Sequence, residues 1–135
     1  NVVVLVAVNS SKSPMFSPAE RQEMVEKCVK RFGNVTVETW DGLLVDFARK
    51  YPGAVIVKGL RAASDFDYEF TMNMVNTQLN PEVETMFLTA SPKYNFLSSS
   101  IVREMARYGA SLTGFVPNEI IDEIETKMKA NAGGK

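Results

Sequence analysis

Four consecutive residues, Lys58-Gly59-Leu60-Arg61, are the segment of this chain best suited to chemistry. They directly follow the apolar run Ala54–Val57, and a predicted helix begins soon after them. Gly59 allows a ligand to approach the backbone closely, and the guanidinium of Arg61 can bind two phosphate oxygens at once. A solvated turn with two surface charges explains the same residues, because such exposed charges are common. On the tetrapeptide alone, a phosphate site and a surface turn remain equal alternatives.

A run of three serines opens another predicted helix. The first backbone N–H groups of a helix attract phosphate, and serine hydroxyls add further donors. Capping a helix needs a single serine, so Ser98, Ser99 and Ser100 together favour an anion site. Lys12 lies in the loop after the apolar run Val2–Val8. Most lysines are simply solvated, but this position would allow Lys12 to reach an anion.

Acidic residues follow Arg61 at the start of the next predicted helix. Asp65, Asp67 and Glu69 all favour the helix dipole there, which is a sufficient structural reason for their presence. Two of these acids could also hold the guanidinium of Arg61 in place or contact the hydroxyls of a nucleotide. Both roles remain open.

Residue types that are missing narrow the possible chemistry. The chain has no histidine and one cysteine, so Ser-His-Asp triads, Cys-His pairs and zinc sites are excluded within it. A net charge of −1 lacks the basic character of nucleic-acid-binding proteins, and we expect no nucleic-acid partner. Val2–Val8, the longest apolar run, is too short to cross a bilayer, so we expect no membrane association. Scattered cations without a nucleophile favour phosphoryl or nucleotidyl transfer.

Apolar runs and helix-capping patterns alternate along the chain and predict the elements that position these residues. The predicted strands are Val2–Val8, Val35–Glu38, Ala54–Val57 and Glu84–Thr89. The predicted helices are Pro18–Phe32, Leu43–Tyr51, Ser64–Leu79, one from Ser98 or Ser99 to Tyr108, and one from Pro117. This alternation predicts an α/β fold with a parallel sheet, in one domain over residues 1–130 with a flexible tail over 131–135. In the third helix Phe66, Phe70, Met74 and Val75 lie near one face, and we expect Phe66, Phe70 and Met74 to be mostly in the core.

In an open parallel sheet, ligands bind beyond the carboxyl ends of the strands. Four loops follow those ends: 9–16, 40–44, 58–64 and 91–100. They contain Lys12, the basic tetrapeptide and the serine run. The fold therefore predicts that ligands bind at these loops.

Four blocks of residues resemble one family, the phosphopantetheine adenylyltransferases, in order and spacing over essentially all of residues 1–130. The blocks are Ser11-Lys12-Ser13-Pro14-Met15-Phe16 with Glu20-Arg21, Lys58-Gly59-Leu60-Arg61, Asp65-Phe66-Asp67-Tyr68-Glu69, and Asn95-Phe96-Leu97-Ser98-Ser99-Ser100 with Val102-Arg103-Glu104. The resemblance implies a Rossmann-like nucleotidyltransferase fold with helices on both faces of the sheet. It also implies transfer of adenylyl from ATP to 4′-phosphopantetheine with Mg²⁺, giving dephospho-coenzyme A and pyrophosphate.

Roles for particular residues come from the same resemblance. Lys12 would contact the phosphopantetheine phosphate and help to hold the pentavalent transition state, and Arg61 would bind the ATP phosphates. The implied phosphopantetheine site is Lys12, Leu43, Leu44, Lys58 and Asn76. The implied ATP site is Gly59, Arg61, Asp65, Glu69, Tyr94, Asn95, Phe96, Leu97, Ser98, Ser99 and Ser100. The resemblance also implies a bacterial, cytoplasmic homohexamer that takes dephospho-coenzyme A and coenzyme A as ligands.

One departure from the family concerns the beginning of the chain. The family opens with a strand, a loop that contains a catalytic histidine, and a helix, whereas this chain begins at the family's second strand. A chain starting at Asn1 is therefore expected to be poorly folded or inactive, and an incomplete sequence is the interpretation we favour. The alternatives are a non-catalytic remnant that binds nucleotide or coenzyme A, and another nucleotidyltransferase with a small substrate.

Overall fold

Strands and helices alternate along the chain in the order that the sequence pattern predicts. The computed structural model describes residues 1–8 and 13–132. Within them the strands are β1 (Val2–Ala7), β2 (Val35–Trp40), β3 (Val55–Leu60) and β4 (Glu84–Thr89). The α-helices are α1 (Pro18–Val29), α2 (Leu44–Ala48), α3 (Ala63–Leu79), α4 (Ser99–Arg107) and α5 (Ile121–Ala132). The last helix thus enters the first two residues of the predicted tail.

The chain divides into two compact units. The terminal unit comprises Asn1–Asp41 with Leu97–Lys135, and the central unit comprises Gly42–Phe96. Strands β1 and β2 pair in parallel in the first unit, and β3 and β4 pair in parallel in the second. The α/β class and the parallel pairing are therefore confirmed. We expected one continuous sheet. The described strands instead form two separate two-stranded sheets, in which each strand pairs only with the next strand along the chain.

Helix α1 of the terminal unit begins at the capping box that the sequence predicts. The backbone N–H of Glu20 donates to Ser17 Oγ at 3.2 Å, and the N–H of Ser17 donates to Glu20 Oε2 at 2.7 Å. Two ion pairs, Lys27–Glu123 and Lys127–Glu20, join α1 and its cap to α5. The buried apolar side chains of this unit include Leu112 and Ile124.

One face of the β3–β4 sheet in the central unit packs against α3. The rings of Phe66 and Phe87 meet edge to face, with centroids 6.0 Å apart. Side chains on the opposite face of the sheet are exposed: Val55, Val57, Met86 and Leu88.

The prediction that the apolar face of α3 lies in the core is wrong. Exposed fractions of Phe66, Phe70, Met74 and Val75 are 42%, 44%, 57% and 47%. Phe66 and Phe70 stack on each other with ring centroids 5.4 Å apart. Helical spacing places apolar residues near one face, but it does not determine whether another element covers that face.

Candidate functional site

Strand β3 carries the basic segment to its carboxyl end and fixes Lys58 beside α3. The Lys58 Nζ lies 3.3 Å from Glu69 Oε2, and both side chains are partly buried. A lysine ammonium has three donors, so this one carboxylate contact does not saturate it. Lys58 is thereby held by Glu69 with capacity left for an anionic ligand.

Asp65 holds the guanidinium of Arg61 in a two-point contact. The Nε–Oδ2 distance is 3.0 Å and the Nη2–Oδ1 distance is 3.3 Å, and the backbone N–H of Arg61 also donates to Oδ2 at 3.1 Å. The Arg61 hydrogen bonds hold the pKa of Asp65 below its ordinary value, and the same contact raises the pKa of Arg61. Both shifts favour the charged forms. Of the two roles left open for these acids, orientation of the guanidinium is the one this geometry supports for Asp65.

The serine run lies at the N-terminus of α4 in the terminal unit. Ser98 Oγ accepts the backbone N–H of Ile101 at 3.3 Å and so caps the helix. Ser99 and Ser100 occupy the first two helical positions, whose N–H groups have no acceptor within a helix. One serine therefore does the capping, and the other two are placed where an anion would bind.

Other predicted site residues are spread over the central unit. Leu43, 56% exposed, immediately precedes α2, and Leu44 is its first residue. Asn76 is buried in α3, and its carbonyl accepts the N–H of Asn80 at 2.8 Å. Tyr94 ends a short 3₁₀ turn after β4, and Lys93 Nζ lies 5.1 Å from the centre of its ring. Asn95 and Phe96 follow the turn in this unit, and Leu97 begins the second segment of the terminal unit.

Within each unit, the structure brings part of the predicted site together. Residues around the end of β3 and the start of α3 cluster in the central unit: Lys58, Gly59, Arg61, Asp65 and Glu69. The three serines cluster in the terminal unit. Lys12 lies outside the described residues, so its predicted contact with phosphate stays a prediction.

Two arginines also lie beside the serine run. Both belong to the blocks of residues that resemble the family, but the sequence alone assigned a role to neither of them. Arg103 Nη2 donates to Ser100 Oγ at 3.2 Å, and Arg21 lines the same cavity as Ser99 and Ser100. The spacing of Arg103 three residues after Ser100 is a signal that the sequence contained. No comparable signal connects Arg21 to this helix.

Neither metal clusters nor membrane spans are found in the described part of the chain. Residues 1–8 and 13–132 contain no group of three or more cysteine, aspartate or glutamate side chains that could hold a metal ion. None of the helices described there has the length and apolar character that a membrane span requires.

A family model described as cytidylyltransferase-like matches residues 1–105. With the alternating elements and parallel strands, this match makes the chain a cytidylyltransferase-like α/β protein of the nucleotidyltransferase superfamily.

Individual relatives define the family more narrowly. Phosphopantetheine adenylyltransferase of Clostridium perfringens (strain ATCC 13124) is 43% identical over 132 residues, which is 98% of this chain and 80% of the relative. The same enzyme of Caldanaerobacter subterraneus subsp. tengcongensis is 48% identical over 128 residues, 95% of this chain and 80% of the relative. That of Dictyoglomus turgidum is 45% identical with the same coverage. The chain belongs to the phosphopantetheine adenylyltransferase family, which confirms the resemblance.

Proposed function

We propose that this protein transfers the adenylyl group of ATP to 4′-phosphopantetheine, giving dephospho-coenzyme A and pyrophosphate. The observation that carries the proposal is its identity of 43–48% to phosphopantetheine adenylyltransferases over 95–98% of the chain. The cations held at the end of β3 and the serines at the start of α4 suit this substrate pair, because both substrates are phosphates.

In the proposed reaction, a phosphate oxygen of phosphopantetheine attacks the α-phosphorus of ATP. The bond from that phosphorus to the oxygen bridging to the β-phosphate breaks, and its electron pair leaves with pyrophosphate. No covalent bond to the protein is needed, so its contribution is to position the substrates and stabilise the developing charge. Arg61 and Lys12 are the residues we propose for the charge in the transition state.

Residues of the central unit divide between the two substrates in this proposal. Lys58, Leu43, Leu44 and Asn76 bind phosphopantetheine, the lysine at its phosphate and the others along its arm. Gly59, Arg61 and Glu69 bind ATP, and Asp65 orients Arg61 through the contact described above. Tyr94, Asn95 and Phe96 of this unit are also proposed to bind the nucleotide, as are Leu97, Ser98, Ser99 and Ser100 of the terminal unit.

Magnesium enters the proposal as a companion of the nucleotide. Mg²⁺ commonly binds through substrate phosphates together with one or two carboxylates. In this structure Asp65 is engaged by Arg61 and Glu69 by Lys58. We therefore expect the phosphates of ATP to supply most of the ligands of Mg²⁺. The ion would neutralise the charge of these phosphates.

A homo-oligomer, proposed as a hexamer, is supported by the apolar surface of the central unit. Monomeric proteins rarely expose large contiguous apolar patches, whereas the outer face of β3–β4 exposes four apolar side chains and α3 exposes several more. We propose that copies of this chain cover these surfaces. As an ATP-consuming enzyme it would act in the cytoplasm, where dephospho-coenzyme A and coenzyme A would also bind it.

Pyrophosphate release from ATP and Mg²⁺, measured with and without 4′-phosphopantetheine, tests the reaction. Release that requires phosphopantetheine supports the proposal. A folded sample that binds ATP or coenzyme A without turnover contradicts it and points to the non-catalytic alternative. Release that another small phosphate acceptor supports better than phosphopantetheine points to a different nucleotidyltransferase.

A further inference from the structure

Helix α2 of the central unit is too short to hold its position by itself. It has five residues, whereas isolated helices shorter than about 12–15 residues are marginal in water. Two of its side chains, Val45 and Phe47, are buried, with exposed fractions of 1% and 5%. The position of α2 therefore depends on its contacts with other elements and not on its own helical propensity.

The residue that precedes α2 does not suit the start of a helix. Leu43 occupies the N-cap position, where serine, threonine, aspartate or asparagine would accept a backbone N–H, and a leucine side chain cannot do so. Its side chain is 56% exposed, so burial compensates only partly for the missing cap. Natural proteins depart from such local rules mainly at functional or strained sites. This position thus supports the role proposed for Leu43, contact with the arm of phosphopantetheine.

Arg49 joins the end of α2 to the end of α3. Its Nη1 pairs with Asp46 Oδ1 of α2, and its Nη2 donates to the carbonyl of Leu79 at 3.2 Å. Leu79 is the last residue of α3, and the last four carbonyls of a helix have no donor within that helix. The last turn of α3 contains no basic residue. Arg49 therefore supplies, from another element, the cation that a helix C-terminus favours.

Of the two contacts of Arg49, the hydrogen bond to Leu79 is the one that joins two elements. The side chains of Arg49 and Asp46 are 56% and 44% exposed, and exposed ion pairs contribute little by themselves. The pair does limit the conformations of the long arginine side chain. Its effect is thus to direct the guanidinium towards the end of α3.

This link constrains two parts of the proposed phosphopantetheine site relative to each other. Leu43 and Arg49 flank α2 at its two ends, about 9 Å apart at the helical rise of about 1.5 Å per residue. Asn76, which is buried, lies in the same last turn of α3 as Leu79. Holding Arg49 at the carbonyl of Leu79 therefore limits the movement of Leu43 relative to Asn76.

We propose that Arg49 is a positioning residue for the binding of phosphopantetheine. It holds α2 against the end of α3, so that Leu43 and Leu44 keep the place at which they contact the arm of the substrate. The identity of that substrate rests on the proposed function, whereas the link between the two helices rests on the contacts of Arg49.

The affinities for the two substrates, measured separately, test the proposal. Arg49→Gln should weaken the binding of phosphopantetheine in calorimetry by about threefold to tenfold, the effect of losing one hydrogen bond. The KM for phosphopantetheine should rise with kcat unchanged, because the lost contact acts on binding and not on the transition state. The affinity for ATP should stay unchanged, because Arg61 is held by Asp65 without the help of α2.

Further variants separate positioning from a loss of folding or of charge. Asp46→Asn leaves the hydrogen bond to Leu79 in place and should weaken phosphopantetheine binding less than Arg49→Gln does. The double variant should bind no more weakly than Arg49→Gln alone, since the two residues act as one unit. Arg31→Gln, which removes the same charge from an exposed arginine beyond the end of α1, is the matched control and should bind both substrates normally.

Three results would overturn the positioning role. The first is unchanged phosphopantetheine affinity in Arg49→Gln. The second is an equal loss of affinity for ATP and phosphopantetheine in that variant, which would indicate general damage to the fold. The third is an equal loss in Arg31→Gln, which would indicate an effect of net charge.

The outcome for Arg49 is separable from the outcome for the reaction. Phosphopantetheine-dependent release of pyrophosphate, with affinities insensitive to Arg49→Gln, overturns the positioning role and leaves the reaction standing. A selective loss of phosphopantetheine binding in Arg49→Gln, without turnover by the unaltered chain, supports the positioning role and contradicts the reaction. A folded chain that binds no phosphopantetheine contradicts both.

Discussion

Residue pairs of opposite charge hold the two cations that we propose for phosphate binding in the central unit. Arg61 is held by Asp65 and Lys58 by Glu69, and in each pair the acid comes from the first turns of α3. Such pairs limit the conformations of two long, flexible cations before a ligand arrives. Less conformational entropy is then lost on binding, which is the physical advantage of preorganisation.

The contact between Arg61 and Asp65 predicts how substitutions at these two residues affect the use of ATP. Arg61→Ala should lower kcat/KM for ATP by about tenfold or more, because it would remove the charged hydrogen bond that we propose between Arg61 and an ATP phosphate. Asp65→Asn should lower it less, because the guanidinium remains but loses its two-point contact with a carboxylate. Steady-state kinetics with varied ATP provide the measurement. Asp67→Asn, an exposed acid two residues along the same helix, is the control, and a loss equal to that of Asp65→Asn would contradict the orienting role.

Helix α1 is stabilised both by a capping box of neighbouring residues and by ion pairs with residues that are distant in the chain. Its capping box comes from Ser17 and Glu20, three residues apart, and Glu20 also pairs with Lys127 of α5. The hydrogen bond to Lys127, helped by the Ser17 backbone, lowers the pKa of Glu20 from 4.5 to about 2. The hydrogen bond from Lys27 likewise lowers the pKa of Glu123.

These lowered pKa values predict how the stability depends on pH. A carboxyl whose pKa is lower in the folded state stabilises the fold above its unfolded pKa, and that contribution is lost as the pH falls through the folded pKa. For Glu20 the loss should occur between pH 4.5 and about 2. Urea unfolding across this range should show a smaller decrease in stability for Glu20→Gln than for the unaltered chain. Glu125→Gln, which changes neither ion pair, is the control; an equally flattened profile there would contradict this origin.

The single chain leaves apolar side chains of the β3–β4 sheet exposed to water. Val57, Met86 and Leu88 on the β3–β4 sheet are 59%, 52% and 51% exposed. Two-stranded sheets are marginal by themselves and are usually stabilised by packing on a further element. Self-association would cover this face, as the proposed oligomer requires.

A charge placed on that face tests the oligomer. Val57→Lys with Met86→Lys should shift the molecular mass, measured by light scattering after size exclusion, towards that of the single chain. Burying an unpaired ammonium at an interface is strongly unfavourable, whereas the same side chain is tolerated in water. Phe32→Lys, which adds a charge at another exposed apolar residue, should leave the mass unchanged. A double variant of unchanged mass would place the interface elsewhere.

Local signals were enough to predict much of this protein from its sequence. The order and type of the elements follow from apolar runs, and the start of α1 follows from a capping box completed within four residues. The alternative of Asp65 as a partner for Arg61 was also visible, because Asp65 lies in the first turn of the helix that begins two residues after Arg61. Element ends are less well determined: α1 ends at Val29, three residues before the predicted Phe32. The family could be recognised because its motifs are short and contiguous.

Contacts between residues that are distant in the chain could not be predicted from the sequence and are known only from the tertiary structure. The pairing of strands into two sheets, the exposure of Phe70 and Met74 on α3, and the contact between Glu20 and Lys127 all depend on which surfaces meet. The same holds for Arg21, which lines the cavity beside the serines of α4 although it is more than seventy residues away in the chain. Sequence periodicity determines which side chains share a face of their own element, because that relation is local. What covers the face depends on long-range packing, and therefore only the folded chain reveals it.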